Sequence, residues 1–343
     1  MEKIDFVIPW LNDEDPQWKA TKANWMEASL NQYSCAEDAN GVFRYRSDSE
    51  LLRYWFRSVE AFAPWVNRIH FVTCGQRPLW LNENHPKLSL VNHSDFIPEK
   101  YLPTFNASSI EMNFHRIRNL SEQFVYFNDD MFLLRPVDIT YFFKSQCPVL
   151  IANLRYPADI GYNNWSRQVF NDYCLINESF DVGQSIWENR KKWFSLSALG
   201  YKRARRNFFC YIANKSLPVS SFGHLAHPHL KSTFEEIWNH CLDVLDVSCS
   251  HKFRADDQVN QWLAIAWNLA KGRFFPAHEN ERGRIWNISP NNINQINESI
   301  RQQLCPQVCL NDSQYNSEPE QCSKVIIEAF ESILPTKSEF ETD

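Results

Sequence analysis

Two adjacent carboxylates directly after a short apolar run are the strongest candidates for chemistry in this chain. The run is residues 124–127 (Phe-Val-Tyr-Phe), and Asn128, Asp129 and Asp130 follow it. An apolar run of this length favours a strand buried on both faces, and ligands bind at the carboxyl ends of strands in open α/β sheets. Two carboxylates there offer hard oxygen ligands for Mg²⁺ or Mn²⁺ and, through the ion, for a diphosphate. An ordinary turn after a strand is the alternative interpretation.

A helix with an ionisable face is predicted just before this strand. Ser108 and Glu111 fit a capping box, so the helix is predicted to begin near Ser109. Glu111, His115 and Arg118 follow the i, i+4, i+7 spacing of one face, which makes Glu111 a candidate acid; capping alone would also account for it. Apolar residues with the same spacing form the buried face of this helix: Ile110, Phe114 and Ile117.

A histidine-rich segment lies about 100 residues further along. His224, His227 and His229 precede a helix that Ser232 and Glu235 predict by a capping box. The N-terminus of a helix has free N–H groups and a partial positive charge, and it therefore favours phosphate. Zinc binding and simple packing are the alternatives for these imidazoles, although the spacing does not fit the helical HExxH arrangement.

Arg254 stands just before a predicted buried helix over residues 258–271, with Gly272 at the position that ends it. An arginine at the mouth of a buried helix suits a phosphate clamp. Arg53 and Arg57 lie four residues apart on a helix predicted over residues 44–62. They are further phosphate candidates, with a solvated surface as the alternative.

The composition narrows the class of protein. The chain has 343 residues, enough for one large domain or two smaller ones, and its net charge of −6 argues against a nucleic-acid partner. Glycine occurs only eight times, and neither GxGxxG nor GxxxxGK[ST] is present. A nucleotide diphosphate would therefore need a metal, arginine, histidine and helix N-termini.

The expected location is the cytoplasm. Met1 leads almost directly into a strand-like segment without a signal peptide, and no apolar run is long enough to span a bilayer. The ten cysteines are scattered without CxxC pairs, which is typical of free thiols in a cytosolic protein. Peripheral attachment at the inner face of the plasma membrane, through partners, is an additional expectation.

Strands and helices alternate in the first 150 residues, which predicts a mostly parallel α/β sheet with helices on both faces. Strands are predicted at residues 4–9, 69–73, 88–91 and 124–127. Residues 1–148 form the N-terminal part of the predicted catalytic domain, and residues 222–290 form its C-terminal part. Between them, residues 149–221 are predicted to be a helical or irregular insertion, with basic clusters at 190–192 and 202–206 that indicate an anionic acceptor groove or a solvated loop. Residues 291–343 form a C-terminal extension with an amphipathic helix near 318–334 and nine disordered terminal residues.

Together, these motifs resemble the Stealth family of capsular polysaccharide phosphotransferases, which also includes the eukaryotic enzyme that makes the mannose-6-phosphate lysosomal tag. Four blocks carry the resemblance: residues 4–16, 51–136, 224–232 and 252–258. The second block is highly specific, and it contains the sequences HPKLSLVNHSD and FVYFNDDMF. Asp13 stands where the family pattern W-x-[DN]-G-x-D-P has glycine.

The resemblance implies a glycosyltransferase-A-like fold and a reaction that uses a divalent metal, Mg²⁺ or Mn²⁺. The family's activity would be transfer of a hexose-1-phosphate, here expected to be N-acetylhexosamine-1-phosphate, from a UDP-sugar to a hydroxyl of a growing capsular or cell-surface polysaccharide, with release of UMP. An ordinary metal-dependent glycosyltransferase that releases UDP is the alternative. A non-enzymatic polysaccharide-binding protein is a third hypothesis.

The resemblance also assigns residues by position. Asp129 and Asp130 are the expected metal ligands, and either Asp130 or Glu111 could accept the proton of the acceptor. The expected catalytic residues are Glu111, Asp129, Asp130, His224, His227 and Arg254. The expected substrate-binding residues are Trp10, Asn12, Asp15, Arg53, Gly75, Gln76, Asn106, His115, Arg116 and Asp257.

Overall fold

A five-stranded sheet is the centre of the computed structural model, which describes residues 3–29, 50–154, 164–217, 223–278, 281–312 and 316–342. The strands are β1 (Ile4–Pro9), β2 (Arg68–Thr73), β3 (Leu88–Asn92), β4 (Gln123–Tyr126), β5 (Met131–Leu133), β6 (Phe143–Lys144), β7 (Cys147–Leu150), β8 (His227–Leu230), β9 (Phe275–Pro276), β10 (Arg284–Asn287) and β11 (Gln307–Asn311). The helices are α1 (Pro16–Ser29), α2 (Glu50–Phe62), α3 (His93–Phe96), α4 (Ala107–Glu111), α5 (Ile139–Phe142), α6 (Asn164–Ser179), α7 (Val182–Glu188), α8 (Arg190–Trp193), α9 (Leu196–Ala213), α10 (Lys231–His240), α11 (Leu242–Ser250), α12 (Trp262–Ala270), α13 (Ile293–Arg301) and α14 (Pro319–Ile333).

The central sheet has the strand order β3-β2-β1-β4-β8. β1 pairs in parallel with β2 and β4, and β2 pairs in parallel with β3. β8 is antiparallel to β4 and pairs His227 with Tyr126. The predicted mostly parallel α/β class is therefore confirmed, and the architecture is compatible with a glycosyltransferase-A-like fold. The remaining strands of the described residues form two three-stranded sheets, β10-β11-β5 and β6-β7-β9.

The apolar sequences of β1 and β4 are explained by burial on both faces. All four residues of β4 are buried, as are the first five of β1. Phe6 packs on Phe127 with ring centroids 4.8 Å apart, within a core shared with α2 and α14. The alternate side chains Val7 and Phe124 belong to a second core on the opposite face, with α10 and α12. Continuous apolar strands are expected where helices cover both faces of a sheet.

Asp5 is the polar exception inside β1. Its fully buried carboxylate accepts hydrogen bonds from His70 Nε2 at 3.1 Å, Asn67 Nδ2 at 2.6 Å and the Ser121 backbone N–H at 2.8 Å. Burial raises the pKa of Asp5, but the hydrogen bonds outweigh burial and hold this pKa below its usual value. These partners precede or belong to neighbouring strands, so Asp5 ties together the amino-terminal half of the sheet.

The helix predicted from Ser109 to Arg118 is wrong in length and in its cap. α4 ends at Glu111, and a separate 3₁₀ turn covers Phe114–Arg116. Asn113 Nδ2 donates to the Ser109 carbonyl at 2.8 Å and so competes with the backbone hydrogen bonds that would continue the helix. Asn106, rather than Ser108, caps α4 by accepting from the Ser108 N–H at 3.2 Å.

Other helix predictions agree with the structure within a few residues. α2 covers the described part of the helix predicted over 44–62, and residues 44–49 lie outside the described residues. α14 matches the predicted amphipathic helix near 318–334, and Gly272 follows α12 with φ 67°. The described part of residues 149–221 is largely helical, as expected of the predicted insertion. The division of the chain into four parts stays a prediction.

The prediction that the last nine residues are disordered is wrong for residues 335–342. The Glu341 side chain is fully buried and accepts from Arg57 Nε at 2.8 Å and Arg57 Nη2 at 3.0 Å. The Asn82 N–H also donates to the Phe340 carbonyl at 2.8 Å. Residues 335–342, the C-terminal tail, are therefore held by hydrogen bonds to α2 and to the loop after β2. None of the helices in the described ranges is long and apolar enough to cross a membrane.

Candidate active site

The loops that follow β1 and β2 lie side by side at the carboxyl edge of the sheet. The Asn12 N–H donates to Gln76 Oε1 at 2.8 Å, and Gln76 Nε2 donates to the Asn12 carbonyl at 2.9 Å. Gly75 adopts φ 101°, a conformation that favours glycine, with open space where a side chain would project. The structure therefore brings together three of the predicted substrate-binding residues, Asn12, Gly75 and Gln76.

The acidic motif after β4 meets a histidine from the segment before β8. Asp130 is buried, whereas Asn128 and Asp129 are partly exposed. His224 Nε2 lies 3.0 Å from Asn128 Nδ2 and 3.4 Å from Asp130 Oδ2. The antiparallel pairing of β8 with β4 explains this contact, because the chain enters β8 at the end where β4 finishes.

The histidine segment was predicted to lie directly before a helix N-terminus, and this part of the prediction is wrong because β8 lies between His224 and α10. α10 begins after β8, where the Lys231 N–H donates to the Glu122 carbonyl at 2.8 Å. This end of β8 is roughly 13 Å, one strand length, from the end where His224 lies. The Glu122 carboxylate accepts from both the hydroxyl and the backbone N–H of Ser232, while the N-cap residue Leu230 has no side-chain atom that could cap the helix.

Glu111 lies at the end of α4 and faces the last residue of β4. The Tyr126 hydroxyl contacts Glu111 Oε1 at 2.8 Å and also contacts Asn128 Oδ1. The backbone N–H of Gln261, the residue before α12, lies close enough to the Glu111 carboxylate to lower its pKa. Glu111 thus contacts a side chain of the central sheet and lies beside the start of a buried helix, and it does not cap its own helix.

The pKa of Glu111 is raised above its usual value. Burial raises it, while the hydrogen bond from Tyr126 and the positive charges of Arg254 and His224 lower it by smaller amounts. The influence of Arg254 on this carboxylate shows that the arginine lies on the same side of the molecule as Glu111. A carboxylate with a raised pKa is a better proton acceptor than an ordinary one.

Arg254 is exposed on the loop between α11 and α12, and buried amides support this loop. Asn106 Nδ2 donates to the carbonyls of His251 and Phe253 at 3.3 Å each, and Asn106 is fully buried. Asp257, another predicted substrate-binding residue, is 61% exposed and lies 3.0 Å from His251 Nε2. Asn106 therefore positions the loop between α11 and α12, called the arginine loop below, from the interior of the protein. Asp257 lies on the solvent-exposed side of this loop.

Helix α6 of the predicted insertion is connected to the same loop. Gln168 Nε2 donates to Gln258 Oε1 at 3.1 Å, and the Ser108 hydroxyl donates to Gln168 Oε1 at 3.2 Å. Gln258 in turn accepts from the Ala255 N–H at 2.8 Å. These buried amides link α4, α6 and the arginine loop, so the insertion contributes to positioning the site.

Asp172 on α6 is a second buried carboxyl close to Glu111. Its Oδ1 accepts from the Asn260 N–H at 3.1 Å, and its Oδ2 has no hydrogen-bond partner among the described residues. Burial raises the pKa of Asp172 well above its usual value, and the charge of Glu111 raises it further. Consecutive amides, Asn260 and Gln261, thus face two different acids at the start of α12.

His227 and His229 are buried in β8 rather than presented to solvent. His227 Nε2 lies 3.0 Å from the Gly223 carbonyl, and burial lowers the pKa of His227 well below its usual value. Burial lowers the pKa of His229 to about 3. Of the three histidines, His224 is the one that reaches the acidic motif.

Several predicted substrate-binding residues make structural contacts away from this group. Arg53 lies 3.3 Å from both Glu50 and Glu341. Trp10 is buried and stacks on Phe71. The other contacts are those of Asp15 with the Trp18 N–H at the start of α1, of His115 with Phe234 and Trp238, and of Arg116 with Asn113 and Trp238. Their substrate contacts stay predictions.

One group of potential metal ligands occurs among the described residues: Asp130, His224 and Cys309, with ligand atoms within 4.8 Å of one another. Cys309 belongs to β11, which pairs it with Met131 just after the acidic motif. A carboxylate, an imidazole and a thiol fit a divalent ion, with a softer donor set than the predicted Asp129–Asp130 pair. Asp129 is not part of this group, so its role as a ligand stays a prediction.

Sequence reasoning missed Tyr126 and Asp172. Tyr126 sits in the predicted apolar strand, and its hydroxyl could have been noticed as a polar atom needing a partner when buried. Asp172 gave no signal, because it reaches the site only through the packing of distant elements. Cys309 and Cys305 are the closest pair of cysteines in the sequence, which left a metal or a disulfide open there, but their spacing could not show that Cys309 lies beside Asp130 and His224.

Comparison with known proteins identifies the family. Residues 44–149 match the model described as Stealth protein CR2, conserved region 2. The chain is 36% identical over 342 residues to a capsular polysaccharide phosphotransferase WcwK of Streptococcus pneumoniae, covering 99% of each chain. The chain belongs to the Stealth family.

Further relatives support the Stealth assignment. A receptor polysaccharide phosphotransferase WefC of Streptococcus gordonii is 35% identical over 344 residues, which cover 99% of each chain. A capsular polysaccharide phosphotransferase eps5J of Streptococcus thermophilus is 43% identical over 193 residues, 56% of this chain and 79% of the relative. This Stealth protein is therefore an enzyme, a phosphotransferase. The matched region 44–149 contains Glu111, Tyr126 and the acidic motif.

Proposed function

We propose that this Stealth enzyme transfers N-acetylhexosamine-1-phosphate from a UDP-sugar to a hydroxyl of a growing capsular or cell-surface polysaccharide, with release of UMP. Its relatives are named capsular or receptor polysaccharide phosphotransferases, which supports transfer of a sugar phosphate onto polysaccharide. The observation that carries the proposal is the grouping of Glu111 with Arg254, His224 and Asp130 at the carboxyl edge of the sheet.

The chemistry follows from attack at phosphorus. An oxygen of the acceptor hydroxyl bonds to the sugar-bearing phosphorus, and the bond from that phosphorus to the UMP oxygen breaks. The bonding pair leaves with UMP, so negative charge develops on the phosphoryl oxygens and on the leaving group. Catalysis then depends on positioning and on positive charge around the phosphate.

Glu111 is the proposed proton acceptor. Its raised pKa and its fixed position beside Tyr126 suit removal of the hydroxyl proton, which would end on a Glu111 carboxylate oxygen. Asp130 is the less suitable base because it contacts His224 and is a proposed ligand of the divalent ion. Arg254 would bind the phosphoryl oxygens from the exposed side of the site.

The acidic motif is the proposed site of a divalent ion, Mg²⁺ or Mn²⁺. Asp130 and His224 would hold it, with Asp129 as a further oxygen ligand. When bound, such an ion supplies positive charge to a diphosphate. The sequence contains no glycine-rich phosphate-binding motif that could do this instead. Asn12 and Gln76, at the adjacent loops, are proposed to contact the nucleotide.

Product identification tests the reaction. The purified enzyme is incubated with UDP-N-acetylglucosamine, a polysaccharide acceptor and Mg²⁺ or Mn²⁺, and the nucleotide products are separated by chromatography. We expect UMP in equal amount to phosphodiester formed, seen by ³¹P NMR. Glu111→Gln keeps the shape of the side chain and should lower kcat by about 10² to 10⁴-fold. Release of UDP by the wild-type enzyme, instead of UMP, would identify a glycosyltransferase that attacks the anomeric carbon.

Cys309 provides a test of where the ion binds. Zinc prefers nitrogen and sulfur ligands, so Zn²⁺ should inhibit the wild-type enzyme by occupying Asp130, His224 and Cys309. Cys309→Ser should weaken this inhibition about tenfold while Mg²⁺-supported activity is kept. Cys305→Ser is the matched control, since Cys305 is also a buried thiol near β11 but is outside the group of three. Equal Zn²⁺ inhibition of both variants would contradict this placement.

A further inference from the structure

Helix α9 turns a largely apolar face to solvent. From Tyr201 onward it is a regular helix after the non-helical Gly200, and Tyr201, Phe209 and Ile212 are 66%, 61% and 60% exposed. Phe208 is also exposed, at 42%, and lies on the same side. A surface helix of a globular protein normally exposes polar residues, so this face is reversed from the usual pattern.

The opposite face of α9 is firmly packed, which fixes the orientation of the exposed one. Asn207 is fully buried and donates to the carbonyls of Ala152 and Trp193 at 2.8 Å each. It also accepts from the Leu154 N–H at 2.9 Å. Because both the donor and the acceptor atoms of Asn207 are engaged inside the protein, the helix cannot rotate to bury its aromatic side chains without losing these bonds.

Positive charge surrounds the apolar face. Residues 189–215 contain eight lysines and arginines and no aspartate or glutamate, although the whole chain has a net charge of −6. Lys202 and Arg205 are exposed on α9 between the apolar side chains. Arg205 lies 5.5 Å from the ring centroid of Tyr201, and Arg190 of α8 lies 5.2 Å from that of the exposed Trp187.

From this combination we infer that the exposed face of α9, with Trp187 and the basic residues of α8, binds the surface of an anionic phospholipid bilayer. Helices that lie in a membrane interface combine aromatic and aliphatic side chains on one face with lysine and arginine beside them. The apolar side chains enter the boundary between headgroups and acyl chains, and each cation near the surface adds attraction to anionic headgroups.

A bilayer fits this face better than two other occupants. An anionic polysaccharide would pair with the cations and could stack the C–H faces of its sugar rings on the aromatic side chains, but it would leave the aliphatic Ile212 in water. A second copy of the same face would bring the exposed Lys202 and Arg205 against their counterparts, which opposes association. The inference does not depend on the reaction proposed above, and its test measures binding alone.

Vesicle co-sedimentation tests the inference with the full chain. Wild-type protein is mixed with vesicles of phosphatidylcholine alone or of phosphatidylcholine with phosphatidylglycerol. We expect binding to the anionic vesicles that weakens with added salt, and binding to the neutral vesicles at least tenfold weaker. Lys202→Gln with Arg205→Gln should lower partitioning onto anionic vesicles about 30-fold, at about 1 kcal/mol for each cation.

Removing apolar surface separates this inference from simple charge attraction. Phe209→Ser with Ile212→Ser should lower partitioning onto anionic vesicles at least tenfold. The matched control is Leu242→Ser with Val247→Ser, which removes side chains of α11 that are 57% and 50% exposed. Circular dichroism and the melting temperature report whether each variant folds.

Three outcomes would overturn the inference. One is equal binding of the wild-type protein to the two kinds of vesicle. Another is that the α9 serine variant binds as the wild type does while both bind a soluble polyanion such as dextran sulfate, which would identify a polysaccharide groove. The third is a wild-type dimer in light scattering that the α9 serine variant loses, which would identify an interface between copies.

Discussion

Glu111 depends on neighbours that come from separate parts of the chain. Tyr126 approaches it from the central sheet, the Gln261 N–H from the start of α12, and Arg254 from the loop before α12. Each of these lowers the pKa of Glu111, whereas burial raises it by more. The protonation of the proposed base is therefore set by a balance that single substitutions can shift.

Tyr126→Phe should move the pH profile of the enzyme. It removes a hydrogen bond that stabilises the ionised carboxylate, so the already raised pKa of Glu111 rises further. Because the base acts when ionised, the acidic limb of kcat/KM should shift to higher pH, measured between about pH 5 and pH 9. Tyr101→Phe is the control, since the Tyr101 hydroxyl contacts Asp246 instead. A uniform loss at all pH values, without a shift, would mean that Tyr126 serves only to hold the structure.

Asp172→Asn should stabilise the protein at neutral pH. The folded-state pKa of Asp172 is raised well above its unfolded value, so ionisation favours the unfolded chain once the pH exceeds about 4. An asparagine still accepts the Asn260 N–H through its amide oxygen and does not ionise. The melting temperature of the variant should match that of the wild type near pH 4 and exceed it by a growing margin toward pH 7. An unchanged difference across this range would contradict the proposed neutral state of Asp172.

At the scale of elements, four of the five strands of the central sheet were predictable, and for β1 and β4 the reason is that burial on both faces leaves a continuous apolar sequence. β1, β2, β3 and β4 all appear within one or two residues of the predicted bounds. α2 and α14 were also predictable, since each has a strong apolar stripe. The spacing of apolar residues within each of these elements indicates its type and its buried face, so each could be predicted from the sequence alone.

The helix around Glu111 was not predictable by the same rules. Its apolar spacing continues to Ile117, but Asn113 takes the Ser109 carbonyl and ends the helix early. The histidine segment was likewise assigned to a helix N-terminus, whereas β8 intervenes. In both cases the predicted element that carries the residues was wrong, and the chemical role of these residues stays a prediction.

The contact between α2 and the C-terminal tail gives a prediction at this scale. Glu341→Gln removes the charged bidentate partner of the Arg57 guanidinium, which is 9% exposed and keeps Glu331 at 3.1 Å and the Leu334 carbonyl at 3.0 Å. This should lower the free energy of unfolding by about 2 kcal/mol, measured by urea denaturation. Glu339→Gln is the control, since that side chain is 84% exposed, and it should change little. Arg57→Met with Glu341→Met should cost less than Glu341→Gln alone, because no buried charge is left unpaired.

At the scale of the molecule, the amino and carboxyl ends of the central strands have different roles. Asp5 joins neighbouring strands toward the amino end, where its partners are all structural. The acidic motif, His224 and the paired loops lie at the carboxyl end. The sequence indicated which strand ends carry polar residues, but it could not show that α6 brings Asp172 to the site, because that depends on long-range packing.

Asp5→Asn should destabilise the whole sheet in a pH-dependent manner. The pKa of Asp5 is held below its unfolded value, so its contribution is present above about pH 4 and is lost as the pH falls through the folded-state pKa. We expect a loss of about 3 kcal/mol at pH 7, from charged hydrogen bonds in a buried setting. The difference from wild type in urea midpoint should shrink toward pH 3. Asp95→Asn, at the exposed start of α3, should show little difference at any pH.

The Glu111 carboxylate and the Gln261 backbone N–H lie close together in the folded chain, although 150 positions separate them in the sequence. During synthesis at about 5 to 20 residues per second, roughly 8 to 30 s pass between the translation of one and of the other. A ribosome-bound chain that already contains the acidic motif thus still lacks Arg254, the start of α12 and the amide beside its proposed base. Nascent enzyme should therefore be unable to carry out the proposed transfer until about three quarters of the polypeptide has been made.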